Sequence, residues 1–160
     1  MMKRAYIETS FVSYLTARLS RDLVTAARQQ ITQEWWRKRR QDFELVTSQL
    51  VLDEASQGDV DVARQRLALL ENLVLLQVTP EAEVLAHAII SEGVLPDRAF
   101  SDALHIAVAT VHEVDYLVTW NCAHIANAEI MPRVGRTCAA LGFNLSFICT
   151  PDELLGEQVQ

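Results

Sequence analysis

Glycine is scarce in this sequence, and none of the five glycines belongs to a phosphate-binding loop. Neither GxGxxG nor GxxxxGK occurs, although these are the patterns whose backbone amides cradle phosphate groups. The nucleophile turn GxSxG and the zinc pattern HExxH are absent as well. These absences argue against nucleotide-binding enzymes of those types and against the commonest hydrolase classes.

Cysteine is also scarce. The chain has an odd number, Cys122, Cys138 and Cys149, and no two of them are closely spaced. Zinc sites and redox motifs use close pairs of cysteines. We therefore expect three buried thiols in a reducing cytosol, in a chain that needs no disulfide.

No apolar run is long enough to cross a bilayer. The most apolar stretch, residues 67–78, is interrupted by Glu71, Asn72 and Gln77. The first 15 residues imitate a secretion signal, with basic residues before apolar ones, but Glu8 interrupts the apolar part and no convincing cleavage site follows. The expected location is the cytoplasm.

Basic residues are outnumbered, 14 against 21 acidic residues, and the net charge is -7. Broad electrostatic capture of nucleic acid normally requires a basic excess. The only dense basic run, residues 37–40, is typical of a solvated helix end. A nuclease that clusters acids around metal ions remains compatible with this composition.

Short apolar segments alternate with helical patterns along the chain. Strands are predicted at residues 5–7, 43–47, 73–78, 116–119 and 145–149, and a central helix at residues 97–112. Ser48, Asp59 and Thr79 are predicted helix caps. This alternation predicts an α/β protein, a three-layer α/β/α fold with a mainly parallel central sheet, and residues 1–160 are expected to form one domain.

Several acids lie at places where the predicted fold is apolar. Glu54 follows Leu50 and Val51 by four and three residues, so its carboxylate points in the same direction as these apolar side chains. Asp102 lies in the first turn of the apolar central helix, and Glu8 directly follows the first strand. Carboxylates facing a packed interior are costly unless a cation meets them. A shared divalent metal is the economical explanation.

Each acid also has a simpler interpretation. Glu8 is consistent with an acid in the cap region of a helix, Glu54 with a salt bridge at a helix edge, and Asp102 with a first-turn acid that favours the helix dipole. Their order is more informative. One acid follows the first strand, one lies in the helix after the second strand, one lies in the helix before the fourth strand, and Asn121 lies just past that strand.

This order resembles the PIN-domain family, particularly the VapC-type toxin ribonucleases of toxin-antitoxin pairs. The resemblance is carried by the segments YIETSFVSYL, SQLVLDEASQGD, FSDALHIAVA, DYLVTWN and TPDELL, and it spans about residues 5–155. The third segment is the most specific.

The resemblance implies a Mg²⁺- or Mn²⁺-dependent endoribonuclease with the same layered fold. The metal ligands would be Glu8, Glu54 and Asp102, and Asn121 would take the fourth catalytic position, where the family usually has aspartate. The resemblance also implies a homodimer and a small antitoxin that blocks the cleft. It places three hydroxyl side chains near metal or phosphate: Thr9, Ser10 and Thr119.

Two departures from the family pattern favour an alternative. Glu8 has one more methylene than the usual aspartate, and the neutral Asn121 should weaken a second metal most. A catalytically silent PIN-like domain that binds RNA or a protein partner through the same cleft is therefore the alternative function. An unrelated α/β interaction domain would require every acid to be incidental.

The histidines and one tryptophan are further candidates. His105 and His112 lie on the face of the central helix that carries Asp102, but hydrogen bonding is the favoured interpretation over metal binding. His124 and Asn127, in the loop after the fourth strand, are candidates for contact with phosphate. Trp120 is either a core residue or a surface on which a base stacks.

Overall fold

Five parallel strands form the central sheet of the protein, which we describe from a computed structural model covering residues 1–156. The strand order is β3-β2-β1-β4-β5. The strands are β1 (Lys3–Ile7), β2 (Phe43–Ser48), β3 (Val74–Leu76), β4 (Tyr116–Val118) and β5 (Phe147–Cys149). In the centre of the sheet, Tyr6 is in register with Val46 on one side and with Leu117 on the other.

Helices cover both faces of the sheet and complete a three-layer α/β/α fold. They are α1 (Thr9–Thr16), α2 (Leu23–Arg39), α3 (Gln49–Ala55), α4 (Val60–Leu70), α5 (Pro80–Ser91), α6 (Phe100–Val111) and α7 (Met131–Ala140). The helix α1 packs against α2, α3 and α4, whereas α5 packs against α6 and α7. The predicted fold class is confirmed, and within residues 1–156 every strand is parallel.

Local capping residues start the helices where the sequence predicts. The side chain of Ser48 accepts a hydrogen bond from the backbone of Val51, and Asp59 accepts from the backbone of Asp61 and Val62. Thr79 caps α5, with Pro80 in its first turn. These caps satisfy backbone N–H groups that have no partner inside the helix.

The core is built on the central strands and on α5 and α6, and Trp35 anchors α2 to it. Trp35 is fully buried and lies 5.4 Å from Phe11 and 5.7 Å from Phe43, measured between ring centroids. It therefore joins α2 to both α1 and β2. Trp36 is only partly buried, and the guanidinium of Arg40 lies over its ring.

Three sequence expectations need correction. Residues 73–78 do not form a long, doubly covered strand, because β3 lies at the sheet edge and leaves Val74 and Leu75 48% and 41% exposed. The predicted central helix begins as a short 3-10 turn, Asp97–Ala99, before α6. Cys122 is half-buried, whereas Cys138 and Cys149 are buried thiols as expected.

Within residues 1–156, no helix is both long enough and apolar enough to cross a membrane.

Candidate functional site

The four polar residues singled out in the sequence are carried by different elements. Glu8 follows β1 directly, Glu54 lies in α3, Asp102 lies in the first turn of α6, and Asn121 lies in the loop after β4. In a parallel sheet the carboxyl ends of the strands meet at one edge, which is where ligands collect. The fold therefore brings segments separated by more than a hundred residues to this edge.

Glu8 is buried, with only 6% of its side chain exposed. Its Oε2 accepts hydrogen bonds from the backbone N–H of Ser10, 2.9 Å away, from the Ser10 hydroxyl, and from the Thr119 hydroxyl at 2.8 Å. Its Oε1 has no hydrogen-bond partner among the described residues and lies 3.9 Å from Nε2 of His105. One oxygen is thus fixed, and the other faces the site.

Glu54 is held by three donors. Its Oε1 accepts from the Thr9 hydroxyl and from Nε2 of His105, each at 2.6 Å, and its Oε2 accepts from the Ser101 hydroxyl at 2.9 Å. Partial burial by itself raises the pKa of Glu54, but these hydrogen bonds and the charge of His105 lower the pKa to about 2. Glu54 is therefore ionised at neutral pH.

His105 is fully buried between a phenol and a carboxylate. Its Nδ1 lies 2.9 Å from the hydroxyl of Tyr6, which in turn lies 2.7 Å from the Ser48 hydroxyl. Burial alone lowers the pKa of His105, but the hydrogen bond with Glu54 and the nearby negative charges of Glu8, Glu54 and Asp102 together raise it. Burial raises the pKa of Tyr6, so its phenol stays protonated.

These contacts bring together a group of three residues that could hold a metal ion. One potential ligand atom each of Glu8, Glu54 and His105 lies within 4.8 Å of the other two. Sequence reasoning interpreted His105 as a hydrogen-bonding residue, which it is, but missed its place between the two acids. The available signal was a histidine one turn after Asp102 on an apolar helix.

Asp102 belongs to an adjoining group. Its Oδ1 accepts from the side-chain amide of Asn121 at 3.0 Å, and its Oδ2 lies 2.9 Å from Nδ1 of His124. The backbone N–H of His124 donates to Oδ1 of Asn121 at 3.0 Å. Both oxygens of Asp102 are therefore engaged, and Asp102 lies outside the three-residue group.

Thr119 connects the two groups. It donates to Glu8 and accepts from the backbone N–H of Asn121 at 2.9 Å. A continuous hydrogen-bonded chain thus runs from Glu8 through Thr119 and Asn121 to Asp102. The resemblance places Thr9, Ser10 and Thr119 near metal or phosphate, and in the structure the hydroxyl of each donates to a carboxylate of the site.

Three other residues singled out in the sequence make contacts with the surrounding protein instead of with the acids. Trp120 is buried, its indole N–H donates to the Thr32 hydroxyl at 2.7 Å, and it belongs to the core. The ring of His112 contacts the backbone carbonyl of Gln77 at 2.8 Å. The side chain of Asn127 contacts backbone atoms of its own loop.

Solved structures provide the comparison that decides the fold. No model of a protein family matches the chain, and no curated protein matches it. VapC20 of Mycobacterium tuberculosis, described as a sarcin-ricin loop cleaving toxin, superposes with a TM-score of 0.59 at 18% identity, covering 87% of this chain and 95% of that one. The chain has a PIN-type fold.

A second solved structure has the same PIN-type fold. VapBC2 from Rickettsia felis, bound to a DNA fragment from its promoter, matches with a TM-score of 0.54 at 13% identity. The match covers 92% of this chain and 98% of that one. The resemblance to the PIN-domain family is thus confirmed at the level of the fold.

Proposed function

We propose that this chain is a divalent-metal-dependent endoribonuclease and the toxin of a type II toxin-antitoxin pair. The observation that carries the proposal is the convergence of Glu8 and Glu54 at the ligand-binding edge of a PIN-type fold. Negative charge on two carboxylates held this close is mutually repulsive, so a cation between them is favourable. The PIN-type neighbours named above support the same class of function.

The metal ligands in this proposal are Glu8, Glu54 and Asp102, assisted by Asn121, and the ion is Mg²⁺ or Mn²⁺. The donor set fits such an ion, because these cations prefer carboxylate oxygens and Oε1 of Glu8 has no other partner among residues 1–156. Asp102 would exchange one of its two present hydrogen bonds for the cation. When bound, the ion lowers the pKa of a water and offsets negative charge on the phosphate.

Hydroxyl side chains of the protein orient the carboxylates of this site. Ser10 and Thr119 hold Glu8, while Thr9 and Ser101 hold Glu54, so both carboxylates keep their orientation before any substrate arrives. Such preorganisation avoids reorganisation during the reaction. Asn121 orients Asp102 in the same way. No protein nucleophile is needed, because water attacks the phosphorus.

The first test is RNA cleavage by purified protein. Structured RNA is incubated with Mg²⁺ or Mn²⁺, with and without chelator, using the wild type, Asp102→Asn and Glu54→Gln. We expect cleavage that chelator abolishes and that falls at least about a hundredfold in both variants, since removing one electrostatic contact at a transition state has an effect of this order.

Asp53→Asn is the matched control. Asp53 neighbours Glu54 in α3 but is exposed and contacts Gln49 instead of the site. The Asp53→Asn variant should cleave RNA at the same rate as the wild type. Equal cleavage by Asp102→Asn and the wild type would reject the proposed site.

The silent PIN-like domain is the second candidate function. It is favoured by the hydrogen bonds that occupy both oxygens of Asp102 and by the neutral Asn121. In that case the protein would bind RNA or a protein partner through the same cleft without cutting. Binding of metal and RNA with no cleavage in any metal would support this candidate over the enzyme.

The partners follow from the toxin proposal. We expect a small antitoxin encoded beside this chain and a homodimer of the toxin itself. Co-expression with the neighbouring short reading frame should give a stable complex that no longer cleaves RNA. Light scattering of the toxin alone should give twice the mass of one chain. RNA cleavage that continues when the product of the neighbouring reading frame is present would argue against the toxin role.

A further inference from the structure

One oxygen of the site has no hydrogen-bond partner among the described residues, in a side chain that is largely buried. The side chain of Glu8 is only 6% exposed, and Oε1 is its oxygen without a hydrogen bond among residues 1–156. Oε2 of the same group has three donors, so Oε1 is the oxygen left available to a cation. Oε1 points toward Nε2 of His105 at 3.9 Å, too far for a hydrogen bond.

The nitrogen opposite this oxygen is suited to a metal ion. Nε2 of His105 lies 3.9 Å from Oε1 of Glu8 and 2.6 Å from Oε1 of Glu54, and one potential ligand atom of each residue lies within 4.8 Å of the other two. The hydrogen bond from Nε2 to Oε1 of Glu54 satisfies two of the three atoms and leaves Oε1 of Glu8 without a partner in the described part of the chain. A cation in place of that shared proton would contact all three.

The other ring nitrogen of His105 is already fixed. Nδ1 contacts the hydroxyl of Tyr6, and that hydroxyl contacts Ser48. If Nδ1 donates to Tyr6 and Tyr6 donates to Ser48, Nδ1 keeps its proton, and loss of the Nε2 proton on metal binding frees a lone pair on Nε2. Metal-binding histidines are usually held in this way through their second nitrogen, which selects the tautomer and the ring orientation.

We propose that the ion at this site is bound by Nε2 of His105 together with one oxygen each of Glu8 and Glu54, and that the site therefore prefers first-row transition ions to Mg²⁺. Imidazole is a good ligand for transition ions, whereas Mg²⁺ prefers oxygen. This inference rests on the proposed metal-dependent function and adds a nitrogen ligand to the proposed carboxylates.

The test is pulsed electron paramagnetic resonance of Mn²⁺ bound to the full chain. Nitrogen coupling to the ion is expected in the wild type and should disappear in His105→Gln, a variant whose amide can still donate to Glu54. Calorimetry should show tighter binding of Mn²⁺ than of Mg²⁺, and His105→Gln should weaken Mn²⁺ binding by about tenfold or more while changing Mg²⁺ binding much less.

His112→Gln is the matched control, because His112 contacts Gln77 away from the site, and it should retain both the coupling and the affinity. If His105→Gln does not fold, wild-type protein with ¹⁵N-labelled histidine gives the same information, since the coupling must change to that of ¹⁵N. His124→Gln must then retain it, so that the coupling is assigned to His105. Bound Mn²⁺ without nitrogen coupling, or equal affinity for Mg²⁺, would overturn the inference.

RNA cleavage measured on the same samples separates this inference from the proposed function. Nitrogen coupling without cleavage would support the ligand set and reject the nuclease. Cleavage by a protein whose Mn²⁺ shows no nitrogen coupling would support the nuclease and reject His105 as a ligand.

Discussion

The two oxygens of Glu8 have different surroundings, so that one side chain both caps a helix and faces the proposed metal site. Oε2 caps α1 through the backbone of Ser10, as the simple interpretation of the sequence predicts, while Oε1 faces His105. A carboxylate near a helix N-terminus also interacts favourably with the helix dipole. The extra methylene relative to aspartate lets one side chain reach both places.

Thr119 provides a test of how firmly this carboxylate is held. Thr119→Val keeps the shape of the side chain but removes the hydroxyl that donates to Glu8 and accepts from Asn121. We expect a loss of about 1–2 kcal/mol in the free energy of unfolding, measured with urea, because two buried hydrogen bonds lose a partner. Thr137→Val is the control, since its hydroxyl contacts only a helix carbonyl, and a similar loss there would contradict the assignment.

The Glu54–His105 pair predicts how the stability of the metal-free protein depends on pH. The pKa of His105 is raised above 6.5, so its stabilising contribution is complete below that value and is lost as pH rises through the folded-state pKa. The pKa of Glu54 is lowered from 4.5 to about 2, so its contribution is present above 4.5 and is lost as pH falls toward 2. In chelator, the urea midpoint of unfolding should be highest between pH 4.5 and pH 6.5, the ordinary pKa values of the two side chains.

Two variants test the assignment of this profile. His105→Gln should remove the decline on the alkaline side, because the residue that loses its proton there is absent. His112→Gln should keep that decline. A wild-type urea midpoint that continues to rise through neutral pH would contradict the pairing.

Some residues of the site were predictable from the sequence, and others were not. Sequence reasoning found Glu8, Glu54, Asp102 and Asn121 as candidates because each stands out from an apolar neighbourhood along the chain. It could not place His105, because the contacts of that ring with Tyr6 and Glu54 are 99 and 51 residues away in sequence. Contacts of this kind depend on the packing of separate elements, which spacing within one helix does not reveal.

The long helix α2 depends on one of two adjacent tryptophans. Trp35 is fully buried against Phe11 and Phe43, whereas Trp36 is only partly buried. We expect Trp35→Ala to lower the free energy of unfolding by about 3–5 kcal/mol, the usual cost of deleting a large core aromatic. Trp36→Ala, the matched comparison, should cost about 1 kcal/mol. Equal effects in urea denaturation would contradict this packing.

Replacement by phenylalanine refines this prediction. The indole N–H of Trp35 is buried without a hydrogen-bond partner within the described chain, so losing it should cost little. Trp35→Phe should therefore retain most of the stability that Trp35→Ala loses.

Element boundaries were predictable where local chemistry decides them. Ser48, Asp59 and Thr79 start their helices through hydrogen bonds within three residues. The length of β3 was not predictable in this way, because its apolar run from Leu73 to Val78 looks like a central strand. Its short pairing with β2 at the sheet edge is a property of the whole sheet.

At the scale of the molecule, the proposed metal site would link metal binding to folding. If the site forms only in the folded chain, Mn²⁺ at about a hundred times its dissociation constant should add about 2.7 kcal/mol of stability. For a chain of this size the melting temperature should rise by roughly 5–10 °C. Glu54→Gln should show a much smaller rise in a thermal scan, and an equal rise in both proteins would place the stabilising ion elsewhere.

The order of segments in the sheet has a consequence for synthesis of the protein. Glu8 is translated 111 residues before Thr119, which holds its carboxylate, and β1 pairs with the later strand β4. A growing polypeptide therefore lacks an assembled site until β4 and Thr119 have been translated. If the protein cuts RNA, the incomplete chain cannot cleave the RNA of the ribosome that is synthesising it.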